Sequence, residues 1–285
     1  MNTTAATPPL PRFPLPASDL QSLGFRRGQV DRLIALIERH IAEGRYPGCQ
    51  IALARHGKLA LYRSFGNAVT AGTPRPADED TLWLLYSNTK VVTAVALWVL
   101  AERGLFSFSD RIADHVPEFA RNAKGDITVL QTITHQAGFP NAVVGPAAWA
   151  DHATLREVVC DYALEWTPGS RVHYHGTSAH WALGVLIEAV TGKDFRTVIR
   201  ELVLEPLGLG RELFVGLPEA QFGRAADMHE PTPDGKGMRP LADNNSAAWR
   251  ASGAPGAAGY GTARAMAALY QMMLQGGELA GTRIL

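Results

Sequence analysis

The chain has 285 residues, of which 46% are apolar and 19% are charged, as is typical of a globular protein with a sizeable core. Its 27 lysines and arginines equal its 27 acidic residues, which argues against a nucleic-acid-binding surface and a polybasic membrane patch. We find no apolar run long enough to span a membrane and no secretory signal, and we therefore expect a cytoplasmic protein. Cys49 and Cys160 lie among apolar residues, which predicts buried thiols and no disulfide framework.

The first elements in chain order are a tail, a helix and a hairpin. Residues 1–24 carry five closely spaced prolines, which predict an extended tail lying along its own domain. The alternative is a ligand for a proline-binding module. Apolar spacing predicts a helix over residues 27–43, ended by Gly44. Apolar runs at residues 49–55 and 59–65 flank a glycine turn and predict a β-hairpin.

Helices dominate the prediction for the rest of the chain. Residues 229–261 are rich in glycine and proline and predict a long loop with little capacity to pack, a kind of loop that is usually functional. The chain has no internal repeat. A lone hairpin is marginally stable, so the fold needs more strands than the patterns reveal. Apolar spacing predicts helices over residues 88–103, 127–140, 155–164, 177–191, 194–203 and 263–275.

The most informative feature of the sequence is a serine–lysine pair, Ser87 and Lys90, one helical turn apart. Residues 91–100 are almost entirely apolar, which predicts a helix buried on all sides. A lysine in its first turn is partly desolvated and lies near the positive end of the helix dipole, and both effects favour a neutral amine. Such an amine can take a serine proton, as in the S-x-x-K arrangement of serine acyl-enzyme hydrolases. The alternative is that Ser87 caps the helix and Lys90 extends to water.

An acyl-transfer site also needs a group that passes a proton to the leaving group. Tyr174 follows the Pro168-Gly169 turn and precedes a predicted helix, a position from which its phenol can project into a cleft. The alternative is a tyrosine packed at a strand end with its hydroxyl bonded to the backbone. No G-x-S-x-G motif is present, so an α/β-hydrolase fold lacks its nucleophile signature.

Several motifs with this chemistry occur in order along the chain. From about residue 25 onward they resemble those of the serine β-lactamase-like family, which includes class C β-lactamases, D-alanyl-D-alanine carboxypeptidases and family VIII-type esterases. The resemblance implies that Ser87 is the acylated nucleophile, that Lys90 and Tyr174 together form its base, and that no cofactor is needed. The motifs are Ser87-Asn-Thr-Lys90, the block 127–140 with Thr134-His-Gln-Ala-Gly-Phe-Pro140, Pro168-Gly169 followed by Tyr174, Leu183-Gly-Val-Leu-Ile-Glu188 and Pro206-Leu-Gly-Leu209.

The resemblance also implies a fold class. We expect an α/β fold of the α+β type, with an antiparallel sheet flanked by helices and a helical lobe. The sheet lobe would comprise about residues 25–86 and 225–285, and the helical lobe about residues 87–224, with Ser87 at their junction. The family's third motif, Lys-Thr-Gly or His-x-Gly on a C-terminal strand, does not occur. We therefore expect a truncated chain that lacks C-terminal strands. In the family, one of these strands supplies one of two oxyanion donors, and the other donor would be the amide of Ser87. The loss of one donor costs ~10²–10³ in turnover.

A second departure from the family pattern lies beside Tyr174. The family has Tyr-x-Asn where this chain has Tyr174-His175-Gly176. Without the asparagine amide, a site built for a β-lactam or a peptide loses a polar partner, so we expect a carboxylesterase acting on small esters. The alternatives are a β-lactamase, D-aminoacyl peptidase or acyltransferase, or a binding module that kept the fold and lost activity. In every case the expected partner is a small molecule, with no nucleic acid and no membrane.

The remaining site predictions concern substrate contacts and metals. Tyr86, Phe139, Trp149 and Trp181 are candidates for the lining of an acyl pocket, although core packing is the default for each aromatic residue singly. Gly176 leaves a space in which we expect the side chain of His175 to form hydrogen bonds. The pattern His173-Tyr-His175 lacks a third ligand, an H-E-x-x-H motif and a cysteine pair, so we predict no metal site.

Overall fold

The computed structural model describes residues 13–285, and these form an α+β fold, as the sequence predicts. Every pair of hydrogen-bonded strands is antiparallel. The strands are β1 (Gly48–Arg55), β2 (Lys58–Val69), β3 (Arg75–Pro76), β4 (Trp83–Leu84), β5 (Leu213–Val215), β6 (His229–Pro231), β7 (Met238–Pro240), β8 (Gly259–Gly261), β9 (Glu278–Leu279) and β10 (Thr282–Arg283). Most of them are too short to show an alternating pattern, which is why the sequence predicts only the first two.

The helices contain more residues than the strands. They are α1 (Arg27–Ala42), α2 (Thr89–Glu102), α3 (Ile112–His115), α4 (Val129–Ile133), α5 (Ala147–Ala150), α6 (His152–Cys160), α7 (Ser178–Thr191), α8 (Phe195–Ile199), α9 (Ala242–Asn245), α10 (Ala247–Ser252) and α11 (Ala263–Leu274). The predictions for α1, α2, α7 and α11 are confirmed to within a residue or two. The helix predicted over residues 127–140 is much shorter, because His135 adopts a left-handed backbone conformation with φ of +62°.

The predicted hairpin forms β1 and β2 of a three-stranded sheet with the order β1-β2-β3. Its turn residues His56 and Gly57 both have positive φ, the conformation that matches the twist of the two strands. Residues 13–24 lie along this sheet: Ser18 N donates to Leu59 O at 2.9 Å, Leu59 N donates to Pro16 O at 3.0 Å, and Leu15 is buried. The part of the predicted tail before residue 13 lies outside the described residues.

The centre of the core is formed by α2 and α7. In α2, Val92, Val95, Ala96 and Leu97 are fully buried, and α7 is buried almost continuously from Ser178 to Ile187. The two helices contact each other, and α2 also packs against α8. The expectation that α2 is buried on all sides holds for most of the helix but not for one stripe, on which Val91, Ala94 and Ala101 are half-buried and Trp98 is 38% exposed.

The prediction that residues 229–261 form a poorly packed loop is wrong. This segment contains β6, β7, α9, α10 and β8, and residues 252–262 are all buried. Strand β8 is the middle strand of a second sheet, with the order β4-β8-β5. Glycine and alanine dominate residues 253–261 because the main chain itself, and not large side chains, packs against α2. A Cβ atom on Gly259 would lie 2.7 Å from Thr89 Oγ1.

Among residues 13–285, no helix combines the length and the apolar character that crossing a membrane requires. The division into a sheet lobe and a helical lobe at residues 86/87 and 224/225 stays a prediction.

Candidate active site

Ser87 lies on a strained turn between β4 and α2. Leu85 N donates to Gly259 O at 2.8 Å, which ties the end of β4 to β8. The chain then turns sharply at Tyr86, whose φ of +45° is unusual for a residue with a side chain and costs about 1–3 kcal/mol. Ser87 follows in a single 3₁₀ turn and is exposed. The local geometry therefore presents the hydroxyl of Ser87 at the start of a buried helix.

The structure brings together the three residues predicted to be catalytic. The hydroxyl of Tyr174 lies 2.5 Å from Ser87 Oγ, and Lys90 Nζ lies 3.4 Å from the same oxygen. Lys90 Nζ is also 5.0 Å from the centroid of the Tyr174 ring. Tyr174 is 52% exposed, so the group opens to solvent. A serine, a lysine and a tyrosine within hydrogen-bonding reach can activate a nucleophile and move its proton.

Lys90 is held by main-chain carbonyl groups from two distant segments. Its Nζ donates to Gly176 O at 2.6 Å and to Gly256 O at 2.7 Å, in addition to its contact with Ser87 Oγ. The two carbonyl groups take two N–H donors, which an ammonium group and a neutral amine both possess, and Ser87 Oγ lies at a third position around the nitrogen. These contacts therefore aim Lys90 Nζ at Ser87 Oγ. The sequence shows burial and the helix dipole, but it does not show carbonyl oxygens that reach the amine from other elements.

The surroundings of Tyr174 favour its phenolate form. Burial raises the pKa of Tyr174, but the hydrogen bond to Ser87 and the nearby charge of Lys90 outweigh this effect and lower the pKa below its ordinary value of 10.0. A lower pKa increases the fraction of the side chain that is phenolate near neutral pH, and the phenolate is the form that can accept a proton from Ser87. In this arrangement Tyr174 is suited to act as the base, and Lys90 is suited to stabilise the phenolate.

Three of the residues predicted to contact substrate are in the core instead. Phe139, His175 and Trp181 are at most 2% exposed, so they present no surface to a ligand. His175 Nε2 accepts a hydrogen bond from Phe139 N at 3.2 Å, and its Nδ1 donates to His173 O at 2.6 Å. The expectation that His175 occupies the space beside Gly176 is wrong, because both of its ring nitrogens are bonded to the main chain of Phe139 and His173 in the loops between α4 and α7.

The other two predicted contact residues lie at the site. Tyr86 precedes Ser87 and is 42% exposed. Gly176 contributes its carbonyl group to Lys90, and no heavy atom lies within 4 Å of the position that a Cβ atom would occupy. The place of the family's asparagine is therefore open space. Trp149, also considered for the pocket, packs against Trp249 with ring centroids 5.3 Å apart.

The sequence did not reveal the hydrogen bonds by which residues 253–261 support α2. Thr93 Oγ1 donates to Pro255 O at 2.7 Å, and Gly259 N donates to Thr89 Oγ1 at 2.9 Å. A Cβ atom on Gly256 would lie 3.3 Å from Lys90 Nζ and 3.0 Å from the Cβ of His180. The only signal in the sequence is the run of small residues itself, which permits such a close approach of the backbone.

A cluster with metal-ligand side chains occurs away from Ser87. Ligand atoms of His152, Glu188 and Asp194 lie within 4.8 Å of one another. The guanidinium of Arg196 already lies in this cluster, 2.5 Å from Asp194 Oδ2 and 3.0 Å from His152 Nε2. His152 Nδ1 is 2.5 Å from Glu188 Oε1. A cation is thus supplied by the chain itself, and the cluster is suited to join α6, α7 and α8 as an ion-pair network.

The amino-acid sequence was compared with a family model and with curated proteins. Residues 33–285 match the family model described as Beta-lactamase. The chain is 31% identical to the Esterase/beta-lactamase LipL of Mycobacterium tuberculosis, over 90% of this chain and 66% of LipL. It is 27% identical to a putative D-alanyl-D-alanine carboxypeptidase of Escherichia coli, over 78% of this chain and 56% of that protein. The chain thus spans less than two thirds of the length of these curated relatives.

The solved structures agree with the sequence comparison. The crystal structure of a family VIII carboxylesterase superposes with a TM-score of 0.78 at 32% identity, covering 90% of this chain and 72% of that one. The resemblance found in the sequence motifs and the expected fold class are both confirmed by these matches.

Proposed function

Because the chain belongs to the beta-lactamase family, we propose that it is a serine hydrolase that acts through an acyl intermediate on Ser87. The observation that carries this proposal is the contact of 2.5 Å between Ser87 Oγ and the hydroxyl of Tyr174, next to Lys90 Nζ. A nucleophile paired with a base, and a base oriented by a third group, is the arrangement that covalent catalysis requires.

Acylation begins when the phenolate of Tyr174 takes the proton of Ser87. Ser87 Oγ attacks the substrate carbonyl carbon, and the carbonyl oxygen becomes an oxyanion that the main-chain N–H of Ser87 is suited to stabilise. When this intermediate collapses, the bond to the alkoxide leaving group breaks. The alkoxide takes the proton from Tyr174, which returns to the phenolate. Throughout, the ammonium of Lys90 remains charged and stabilises that phenolate.

Deacylation repeats these steps with water as the nucleophile. Tyr174 takes a proton from the water, whose oxygen attacks the acyl carbon. The intermediate expels Ser87 Oγ, which regains its proton from Tyr174. The products are a carboxylic acid and an alcohol, and the protein returns to its starting state.

We assign small esters as the preferred substrate class. The open space at Gly176 offers no side-chain amide to pair with the amide group of a peptide or a β-lactam, and an ester does not need that partner. The names of LipL and of the family VIII carboxylesterase include esterase activity, which supports the same choice. The carboxypeptidase relative keeps amide hydrolysis as the competing assignment.

Intact-mass measurement after treatment with a fluorophosphonate tests the nucleophile directly. We expect a mass increase of one adduct on the wild-type chain and none on Ser87→Ala, with Ser22→Ala, an exposed serine of the tail segment, as the matched control that still labels. Absence of labelling on a folded wild-type chain would contradict the proposal and favour a binding module.

Substrate class is tested by turnover on three probes. We expect a short p-nitrophenyl ester to be hydrolysed with a kcat/KM that exceeds those for nitrocefin and for a D-alanyl-D-alanine peptide. Preference for nitrocefin or the peptide would reverse the assignment from ester to amide while leaving the role of Ser87 intact.

A further inference from the structure

His135 occupies a strained backbone position next to the candidate site. It follows α4 with a φ of +62°, a left-handed conformation that is uncommon for a residue with a side chain. The cost of such a conformation, of order 1–3 kcal/mol, persists only where surrounding contacts enforce it. Its main-chain N–H donates to Thr132 O at 3.2 Å, and its other hydrogen bonds are made with the segment that carries Tyr174.

His135 accepts hydrogen bonds from the two residues that flank Tyr174 in the sequence. Its main-chain oxygen accepts from the N–H of His173 at 3.0 Å, and its ring Nδ1 accepts from the N–H of His175 at 3.2 Å. The residues directly before and directly after Tyr174 are thus bonded to the same residue. In addition, the rings of His135 and Tyr174 lie with their centroids 4.8 Å apart. His135 therefore restrains both the backbone and the ring of Tyr174.

We propose that His135 is a positioning residue that holds the phenol of Tyr174 against Ser87 and Lys90. This inference deepens the proposed function and rests on it, because it assigns His135 no contact with substrate. Its action is through Tyr174: a displacement of about 1 Å at a catalytic group costs ~10²-fold in rate. The structural strain at His135 is then the cost of aiming its carbonyl group and its ring at one short segment.

The hydrogen bond from the N–H of His175 requires an unprotonated Nδ1 on His135. A neutral imidazole that accepts at Nδ1 carries its proton on Nε2, whereas an imidazolium has no acceptor nitrogen. The groups that face the ring are Tyr174 and His175 from the same segment, His180 from α7 and Lys90 from α2. Burial lowers the pKa of His135, and the neighbouring His175 and Lys90 lower it further, so the ring stays neutral at neutral pH.

Two substitutions separate positioning from folding. His135→Asn and His135→Gly both tolerate a positive φ, but only asparagine keeps a side-chain acceptor near the place of Nδ1. We expect His135→Asn to hydrolyse a p-nitrophenyl ester within about threefold of wild type, and His135→Gly to lose ~10²-fold in kcat with little change in KM. The matched controls are His56→Asn and His56→Gly, at an exposed histidine with a φ of +51° on the β1–β2 turn.

The titration of Tyr174 supplies a readout that does not depend on turnover. The ultraviolet absorbance of tyrosinate, taken as the difference from Tyr174→Phe, reports the pKa of Tyr174. We expect His135→Gly to raise this pKa towards the ordinary value of 10.0, because the phenol moves away from Ser87 and Lys90, and His135→Asn to leave it unchanged. Equal titration and equal kcat in the two variants would overturn the inference.

The acid limb of Ser87 labelling keeps the inference testable if His135→Gly does not fold. In the wild type, we expect the fluorophosphonate labelling rate to steepen at low pH from a one-proton to a two-proton dependence, as His135 also becomes protonated. In His135→Asn, which has no imidazole to protonate, we expect the labelling rate to keep the one-proton dependence at low pH. Identical acid limbs in these two proteins would contradict the inference. If the wild type is labelled but the His135 variants match it in kcat and in the pKa of Tyr174, the role of His135 is contradicted and the proposed function stands. If the wild type is not labelled, the proposed function fails, and the titration of Tyr174 still shows whether His135 positions that residue.

Discussion

The β1–β2 hairpin and residues 253–261, which end in strand β8, both pack against helices, but they do so by different means. The hairpin pairs from Gly48–Gly66 to Arg55–Lys58, with one register shift between Leu53 and Ala54, and successive side chains of a strand point to opposite faces of the sheet. Residues 253–261 have glycine or alanine at most positions and are buried throughout. Their main chain, not their side chains, contacts α2.

This difference shows which contacts a sequence pattern reveals. Alternating apolar side chains and a glycine turn are the signal of a hairpin, so β1 and β2 are predicted correctly. A run of small residues has no side-chain periodicity and is typical of a loop, although it also allows two backbones to approach closely. The carbonyl group of Gly256, which reaches Lys90, therefore belongs to the segment that the sequence describes least well.

Gly259→Val is the strongest test of the backbone packing. A Cβ atom there would lie 2.7 Å from Thr89 Oγ1, so the start of α2 must shift. We expect the free energy of unfolding to fall by about 3 kcal/mol and the labelling rate of Ser87 in the folded fraction to fall by ~10²-fold. Chemical denaturation and intact-mass labelling measure the two effects. Gly28→Ala is the control, because a Cβ atom there meets nothing within 4 Å. If Gly259→Val changes stability and labelling as little as Gly28→Ala does, close backbone packing against α2 is contradicted.

The pH dependence of labelling tests whether Gly256 supports the site through Lys90. Because the pKa of Tyr174 lies below 10.0, the labelling rate should be constant above that pKa and fall about tenfold per pH unit just below it, before the steeper fall expected once His135 is protonated. Gly256→Ala would displace Lys90 Nζ, 3.3 Å from the new Cβ, and so raise the pKa of Tyr174 and move the acid limb to higher pH. A limb at unchanged pH would show that the Gly256 carbonyl has no influence on the base.

Thr93→Val removes a single side-chain bond between α2 and residues 253–261. The variant keeps the shape of the side chain but leaves the buried carbonyl of Pro255 without its donor, 2.7 Å away in the native protein. We expect a loss of about 1–3 kcal/mol in unfolding free energy. Thr191→Val at the half-buried end of α7, whose hydroxyl donates to Ile187 O and accepts from the nearby Lys193 N, should cost less by thermal or denaturant unfolding. A larger cost at Thr191 would contradict the proposed weight of this contact.

Gly57→Ala is the counterpart in the hairpin and should have the smallest effect. The φ of +70° at Gly57 strains any residue with a side chain, so we expect about 1 kcal/mol less stability. The labelling rate of the folded protein should stay at the wild-type value, since the turn contributes nothing to Ser87. A loss of labelling together with intact folding would show that the hairpin also positions the site.

Prediction from the sequence succeeded for the candidate site where the relevant spacing is local. Ser87 and Lys90 are three residues apart on a helix, so their proximity follows from helix geometry alone. Tyr174 could be identified from its place before α7 and from the family resemblance. In contrast, the assignments of Phe139, His175 and Trp181 to a pocket failed, because an aromatic side chain beside a motif can point into the core as readily as into a cleft.

The sequence by itself determined the helix that begins just after Ser87, the β1–β2 hairpin and the pairing of a serine with a lysine one turn away. Only the tertiary structure decided that the carbonyl groups of Gly176 and Gly256 hold Lys90 and that His135 brackets Tyr174. The reason is physical: periodicity and turn chemistry act between neighbours along the chain, whereas these contacts join residues 86, 166 and 40 positions apart. Such contacts form only when distant segments pack together, and the two acceptors of Lys90 are backbone carbonyl groups of a kind that every residue carries.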